Sequence, residues 1–324
     1  MNEHAPLKPI PKLSVVAPCH NEEENIDELC RRVAEVCRQS VGESFEIVLI
    51  NDGSKDRTWD TIKSNVEKGN HVVGANLSRN HGHQLALSAG LSVCQGERIL
   101  VIDADLQDPP ELLPEMMKLM DEDVDVVYGQ RTKRKGDSPL RKAASDIFYR
   151  LLQKLSDVEI PLDTGDFRLM SRRVLDVLLS MPEHHRFIRG MISWIGYKQV
   201  PVYYERGPRA KGETSYDLKR LFSFAIDAFT GFSVKPLRFA MFLGIGTASV
   251  SLIYVAYIIV RNITFGTPVE GWASLMAAIL LLSGIQMMIL GLLGEYLGRV
   301  FQEVKKRPLF VISEIVSPQD DVKD

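Results

Sequence analysis

Hydrophobic and polar positions follow two regimes along this chain. Up to about residue 230, short apolar runs rich in β-branched residues alternate with amphipathic stretches. Leu13 to Ala17 reads as a strand ending at Pro18, and Ile26, Leu29, Val33 and Val36 recur at helical spacing in a helix that opens near Glu22. The pattern repeats as strand Phe45 to Ile50 with helix Asp56 to Val66, then strand His71 to Leu77 with helix His83 to Cys94. Strand Arg98 to Ile102, helix Pro110 to Met120 and a fifth strand Val124 to Tyr128 follow. This alternation predicts an α/β fold built on a doubly wound, mainly parallel sheet. Such sheets bind ligands beyond the carboxyl ends of their strands. Asn21, Glu22, Asp52, Asp103, Asp105 and Arg131 stand just after strands, so they are expected to gather on one rim.

After residue 230 the regime changes. The stretches Leu237 to Val260 and Trp272 to Leu297 are each long enough, at ~1.5 Å per residue, to cross a hydrocarbon layer of ~30 Å. Lys219, Arg220, Lys235 and Arg238 precede the first, and Arg299, Lys305, Lys306 and Arg307 follow the second. Between them lie only Arg261 and Glu270. The positive-inside rule then predicts a transmembrane hairpin in the cell membrane with both termini cytosolic. Ahead of it, Leu218, Leu221, Phe222, Ala225, Ile226 and Phe229 share a face, which predicts an amphipathic helix in the membrane interface. The expected organisation is a cytosolic domain over 1–214, an interfacial helix over 215–234, a transmembrane hairpin over 235–299 and a cytosolic tail over 300–324. Gly244, Gly246, Gly291 and Gly294 offer small-residue faces through which a homo-oligomer could form. The same packing role explains Gly244-Ile-Gly246, which only superficially resembles a dinucleotide loop.

A net charge of -3 argues against a protein that grips nucleic acid. Cys19, Cys30, Cys37 and Cys94 show neither a C-x-x-C pair nor zinc spacing and read as reduced thiols. Met1 to Lys12 holds no apolar run of the signal-peptide kind.

Candidate chemistry concentrates after the fourth strand. In Asp103-Ala-Asp105-Leu-Gln107, two carboxylates converge on one loop, where their repulsion calls for a counter-ion. Hard oxygen ligands suit Mg²⁺ or Mn²⁺ rather than zinc, and such an ion can bridge to a diphosphate. Asn51-Asp52-Gly53-Ser54 follows the second strand, where an acidic residue could meet a nucleoside, although Asp-Gly-Ser is also plain turn chemistry. His81 and His83 have no third ligand at useful spacing and read as a loop capping the following helix.

Five segments occur in order: Pro18-Cys-His-Asn-Glu-Glu-Glu-Asn25, Asn51-Asp-Gly-Ser54, Ser78-Arg-Asn-His-Gly-His-Gln84, Asp103-Ala-Asp-Leu-Gln-Asp-Pro109 and Thr164-Gly-Asp-Phe-Arg-Leu-Met170. Together they resemble glycosyltransferase family 2, and within it the polyprenyl-phosphate glycosyltransferases of the bactoprenol glucosyltransferase and dolichyl-phosphate mannose synthase kind. The resemblance covers nearly the whole chain and implies a GT-A type sheet. It implies that Pro18, His20, Glu22 and Asp52 hold the nucleoside, and that Asp103, Asp105 and Gln107 bind the metal. Arg131 would lie near the donor phosphates. Arg141 and Ser145 would receive the acceptor phosphate. Arg209, spaced correctly from Gly212 and Ser215, would belong to a loop closing over the donor. Tyr216 stands where that loop usually has lysine, and Lys211 is the substitute. Asp166 would face the sugar.

The implied reaction is inverting transfer of one hexose to undecaprenyl phosphate at the cytosolic membrane face, with glucose from UDP-glucose as the leading donor. Transfer from GDP-mannose to a dolichyl-type phosphate is the alternative. A processive polysaccharide synthase would share the donor domain, but such enzymes usually carry Gln-x-x-Arg-Trp and more membrane helices, and this chain has neither. A polyprenyl phosphate is already an anion near neutral pH, so no strong general base is required. Asp166 is therefore expected to position the acceptor or to stabilise an oxocarbenium-like transition state.

Overall fold

The computed structural model describes residues 10–69, 71–132, 161, 164–205, 235–265 and 271–318. Two compact units are distinguished: one holds most of the first 215 residues together with Pro308–Asp324, and the other holds Ile147–Asp157 and Tyr216–Arg307.

The first unit contains strands β1 (Leu13–Cys19), β2 (Phe45–Asn51), β3 (Val72–Leu77), β4 (Arg98–Val101), β5 (Val126–Arg131), β6 (Thr164–Ser171), β7 (Gln199–Tyr204) and β8 (Ile312–Val316). Its helices are α1 (Ile26–Val41), α2 (Thr58–Glu67), α3 (His83–Val93), α4 (Leu113–Met120), α5 (Arg172–Ser180) and α6 (Ile188–Ile195). The strand and helix alternation read from the pattern is present, with boundaries displaced by a few residues. Along β1 the pleat sends Val15 and Ala17 into one core with Ile26, Leu29 and Val33 of α1, and Val16 into the other with Leu87 and Leu91 of α3. Helices thus cover both faces, as a doubly wound sheet requires. α3 lies so close to the sheet at Gly90 that a Cβ there would meet the Ile50 side chain at 2.2 Å.

One sheet runs in the order β7-β5-β6-β4-β1-β2-β3-β8. Its central pairs β4-β1, β1-β2 and β2-β3 are parallel, while β6 runs antiparallel to both β4 and β5. The chain therefore does not continue from β4 to a neighbouring β5. It leaves a gap that β6 later fills. At the other edge, β8 pairs antiparallel with β3 through Gly74↔Val316 and Leu77↔Ile312, and Phe310 and Ile312 pack on the α3 side. This strand was not foreseen in the segment read as a tail. It carries only five residues, and its partner is distant in sequence.

The second unit holds α7 (Lys235–Phe265) and α8 (Trp272–Lys305), of 31 and 34 residues. Each contains a segment long and apolar enough to cross a membrane, Gly244–Phe265 and Leu281–Lys305, and neither segment is buried as a soluble core helix would be. Side chains such as Leu252, Ile263 and Leu297 stand exposed on them. The interfacial helix expected over 215–234 lies outside the described residues.

Candidate active site

The antiparallel register explains how the site assembles. Val101 of β4 faces Arg168 of β6. Two positions further toward the carboxyl end of β4 lies Asp103, and two positions back along β6 lies Asp166. The crossing thus sets side by side two acids that are distant in sequence. On the other side of β6, Gln130 pairs with Thr164, which brings Arg131 to the same rim. Arg131 is so close that a Cβ on Gly165 would lie 2.8 Å from its Nη2.

Asp166 is almost fully buried, at 6% exposure, and is surrounded by donors and cations. Its Oδ2 accepts from His83 Nε2 (3.0 Å) and Gln84 Nε2 (2.9 Å). Arg189 Nε forms an ion pair with Oδ1 at 3.0 Å. Buried Arg168 donates to the Gly165 carbonyl at 3.0 Å, and burial pushes its guanidinium down to about 10 despite the charge of Asp166. Burial would raise the Asp166 carboxyl, but the charge of Arg189, the His83 hydrogen bond and the charge of Arg168 outweigh it. The group is held well below the usual carboxylate range. Asp166 is therefore an ionised, hydrogen-bonded carboxylate and a poor proton acceptor.

Asp103 behaves oppositely. Its carboxyl is raised to about 6, by burial first and by the charges of Asp166, Asp108 and Asp105, against the opposing effect of His83. Its Oδ1 is buried without a hydrogen bond and lies 3.6 Å from His83 Nε2. Burial works against charge on His83, yet the Asp166 hydrogen bond and the charges of Asp103 and Asp166 prevail, and the imidazole is raised. His83 thus does more than open α3, the part read for it from sequence. The loop beyond β4 turns at Leu106, with φ 58°, and Asp105 Oδ1 accepts the Gln107 backbone N–H at 3.1 Å.

A buried carboxylate oxygen with unspent hydrogen-bonding capacity, next to a second acid, suits a divalent cation. Among the described residues no group of three or more His, Cys, Asp or Glu side chains gathers as a metal cage. That donor set fits Mg²⁺ or Mn²⁺, which take one or two carboxylates and complete their shell with substrate phosphates and water.

Arg131 is steadied from behind. Its Nε donates to Tyr204 Oη (3.2 Å), and its Nη2 lies 3.6 Å from Asp108 Oδ1. Tyr204 in turn donates to Asp108, which is fully buried. Parallel pairing of Arg131 with Tyr204 across β5 and β7 sets this contact.

At the ends of β1 and β2, Asp52 is 3% exposed and accepts the backbone N–H groups of His81 (2.7 Å) and Gly82 (3.0 Å). His20 Nδ1 and Asn80 Nδ2 donate to its carbonyl at 2.8 and 3.1 Å. Asp52 thus shapes the loop that precedes α3. That loop packs directly on Gly53, whose φ is 59° and where a Cβ would meet Asn80 N at 2.3 Å. Pro18 is buried in β1, and the Glu22 carboxylate accepts from Asn25 Nδ2 at 2.6 Å.

Pro18, His20, Glu22 and Asp52 thus stand at the ends of β1 and β2, and Asp103, Asp105, Gln107, Arg131 and Asp166 at the ends of β4, β5 and β6. Arg141, Ser145, Arg209 and Lys211 lie outside the described residues. Gln84, Asp108, Arg189 and Tyr204 join the site without having been singled out, and His83, read only as part of a capping loop, joins it as well. His83, Gln84 and Asp108 stand inside recognised motifs, whereas Arg189 and Tyr204 carry no local signal.

An α/β domain with acidic and basic side chains at the carboxyl ends of its strands is a ligand-binding scaffold of the doubly wound kind. The chain belongs to glycosyltransferase family 2: residues 14–179 match the family model described as Glycosyl transferase family 2. Residues 235–300 match a second model, the GtrB C-terminal hairpin. The chain is 41% identical to the uncharacterized glycosyltransferase sll0501 of Synechocystis, over 94% of this chain and 95% of that protein. It is 40% identical to the prophage bactoprenol glucosyl transferase homolog of Escherichia coli, covering 94% and 99% of the two. Identity to the bactoprenol glucosyl transferase of Shigella phage SfII is 39%, covering 94% and 98%. Among solved structures, glucosyl-3-phosphoglycerate synthase of Mycobacterium tuberculosis, crystallised with Mn²⁺, UDP-glucose and phosphoglyceric acid, matches with a TM-score of 0.44 and 19% identity, over 70% of this chain and 83% of that one.

Proposed function

We propose that this protein transfers a single hexose, glucose from UDP-glucose foremost, to undecaprenyl phosphate at the cytosolic face of the membrane, with inversion at the anomeric carbon. The observation that carries this reading is the state of Asp166. A carboxylate held ionised by Arg189 and His83 cannot readily take a proton. An acceptor that is already an oxyanion needs no base, whereas a sugar hydroxyl would. Full-length similarity to proteins named bactoprenol glucosyl transferases, hairpin included, supports the lipid acceptor.

In this reading the lipid phosphate oxygen attacks the anomeric carbon and the nucleoside diphosphate departs from the opposite face. Asp166 stabilises the positive charge that develops on the sugar. Arg131 meets the donor diphosphate, held straight by Tyr204 and Asp108. His20 and the loop organised by Asp52 border the nucleoside. Asp103, Asp105 and Gln107 would hold Mg²⁺ or Mn²⁺, which when bound supplies positive charge to the leaving diphosphate. Arg141 and Ser145 are assigned to the acceptor phosphate, and Arg209 and Lys211 to closure over the donor. The hairpin, with basic residues at its cytosolic ends, keeps the domain where the lipid phosphate lies.

The test is incubation of the full chain in nanodiscs with undecaprenyl phosphate, Mg²⁺ or Mn²⁺ and labelled UDP-glucose, UDP-N-acetylglucosamine or GDP-mannose. Label should move from UDP-glucose into lipid. Label entering lipid from GDP-mannose alone would replace the donor, and no label in lipid from any donor would overturn the reading.

Two further outcomes are expected. Tyr204→Phe removes the hydroxyl between Arg131 and Asp108, and KM for the nucleotide sugar should rise about tenfold with kcat changed much less. Steady-state kinetics at saturating lipid would show it. The second concerns pH. Metal binding needs Asp103 deprotonated, and its carboxyl sits at about 6, so the metal concentration for half-maximal activity should be level above pH 7. Below pH 6 it should climb about tenfold per pH unit as protons compete.

A further inference from the structure

Two side chains from different helices meet on Asp166. Gln84 lies in the first turn of α3. Its Nε2 donates to Asp166 Oδ2 at 2.9 Å, and its Oε1 accepts the backbone N–H of Ile188 at 3.0 Å. Only one orientation of the amide serves both contacts, because a carboxylate cannot donate and a backbone N–H cannot accept. Ile188 opens α6, where its N–H has no partner within the helix, and Gln84 supplies one. The next residue, Arg189, places Nε 3.0 Å from Asp166 Oδ1 while its Nη1 donates to the Thr164 carbonyl at 2.7 Å. Arg189 therefore grips β6 both at the backbone and at the carboxylate.

A carboxylate at the end of a strand would otherwise rotate about χ2. Here one oxygen is held by hydrogen bonds from α3 and the other lies against the Arg189 charge from α6. We infer that Gln84 and Arg189 are positioning residues for Asp166, and that the first turn of α6 belongs to the transfer site. The inference rests on the reading of Asp166 as the carboxylate facing the sugar. Neither residue need touch substrate. Each acts by fixing where the negative charge sits, and misplacement of about 1 Å in such a group costs on the order of 10²-fold in rate.

A plain structural staple makes a different forecast from a positioning device, and a double-mutant cycle separates them. Gln84→Met keeps length and removes both hydrogen bonds. In the full chain in nanodiscs it should lower kcat by about 10- to 100-fold, with the Kd for UDP within about twofold of wild type. Gln84→Glu, which sets a second carboxylate against Asp166, should be at least as damaging. In an Asp166→Asn background, Gln84→Met should cost less than about twofold more, because the group it positions has already lost its charge. Arg189→Lys, which keeps the charge but loses the fork, provides the same cycle should Gln84→Met fail to fold.

Wild-type kcat in Gln84→Met, or losses that multiply in the double variant, would overturn the inference. If the wild-type chain moves no label into lipid, the transferase reading fails on its own, and the same cycle is read on Tm. Non-additive Tm shifts would then uphold the coupling of Gln84 to Asp166, and additive shifts would refute it.

Discussion

Asp103→Asn should lower kcat by about 10³-fold while leaving the protein as stable as wild type or slightly more so. The two halves of this expectation have one cause. Asp103 is a buried acid among acids, with a carboxyl raised to about 6 and an Oδ1 that makes no hydrogen bond. Its charge is costly to keep without a counter-ion, so an uncharged isostere relieves repulsion with Asp166, Asp108 and Asp105. The same substitution removes a hard anionic ligand, and with it the positive charge the ion would bring to the departing diphosphate. Melting curves with and without Mg²⁺, set beside kcat at saturating metal, check both halves. Wild-type stability should rise on adding metal, and the variant should respond far less. A variant that retains more than about a tenth of wild-type kcat would remove Asp103 from the proposed mechanism.

Asp166→Asn should fail on both measures. Activity is expected to fall by about 10³-fold through loss of the charge facing the sugar. Stability should fall by about 3 kcal/mol, because the change leaves Arg168 buried and Arg189 largely buried with no counter-charge. The opposed stability responses of two neighbouring acids are the distinctive outcome. The carboxyl of Asp166 is lower in the folded protein than in the unfolded chain, so its stabilisation is complete above the unfolded value of about 3.9. It is lost only as pH falls below that value toward the folded one. Asp166 also raises the His83 imidazole, a contribution present below the ordinary histidine value and lost as pH rises through the folded one. The stability gap between wild type and variant should thus be widest near pH 5 and narrow both in stronger acid and above neutrality. Denaturant melts at several pH values would show this. A neutral effect on stability would mean that Arg168 and Arg189 find other partners once the charge is gone.

How much was legible beforehand follows from the range of the forces involved. The elements of the first unit could be read because apolar spacing is a local property: Ile26, Leu29 and Val33 mark a helix, and Ile99 to Ile102 a buried strand, whatever they pack against. The carboxyl-end rule then placed Asp52, Asp103 and Arg131 on one rim without knowledge of strand order. The two long apolar helices were equally local, since length and absence of charge suffice.

Strand order was not local. Nothing in Thr164–Ser171 says that it enters between β4 and β5 rather than at an edge, yet that insertion puts Asp166 beside Asp103. β8 is a five-residue strand whose partner lies more than two hundred residues away, and it shows no periodicity strong enough to be read. His83 illustrates the same limit on a smaller scale. Its position before α3 suggested a cap, but the side chain goes to Asp166, because a buried carboxylate attracts the nearest donors from whichever element carries them.

The sequence by itself therefore determined the α/β alternation, the apolar hairpin and the set of acids and bases at the strand ends. These depend on near-neighbour spacing and on residue chemistry. Tertiary structure alone decided which acid stays charged. Asp103 and Asp166 are the same residue type on one rim. Their carboxyls are driven in opposite directions because the fold delivers the charges of Arg189 and Arg168 and the His83 hydrogen bond to one, and buries the other among acids with only His83 to oppose them.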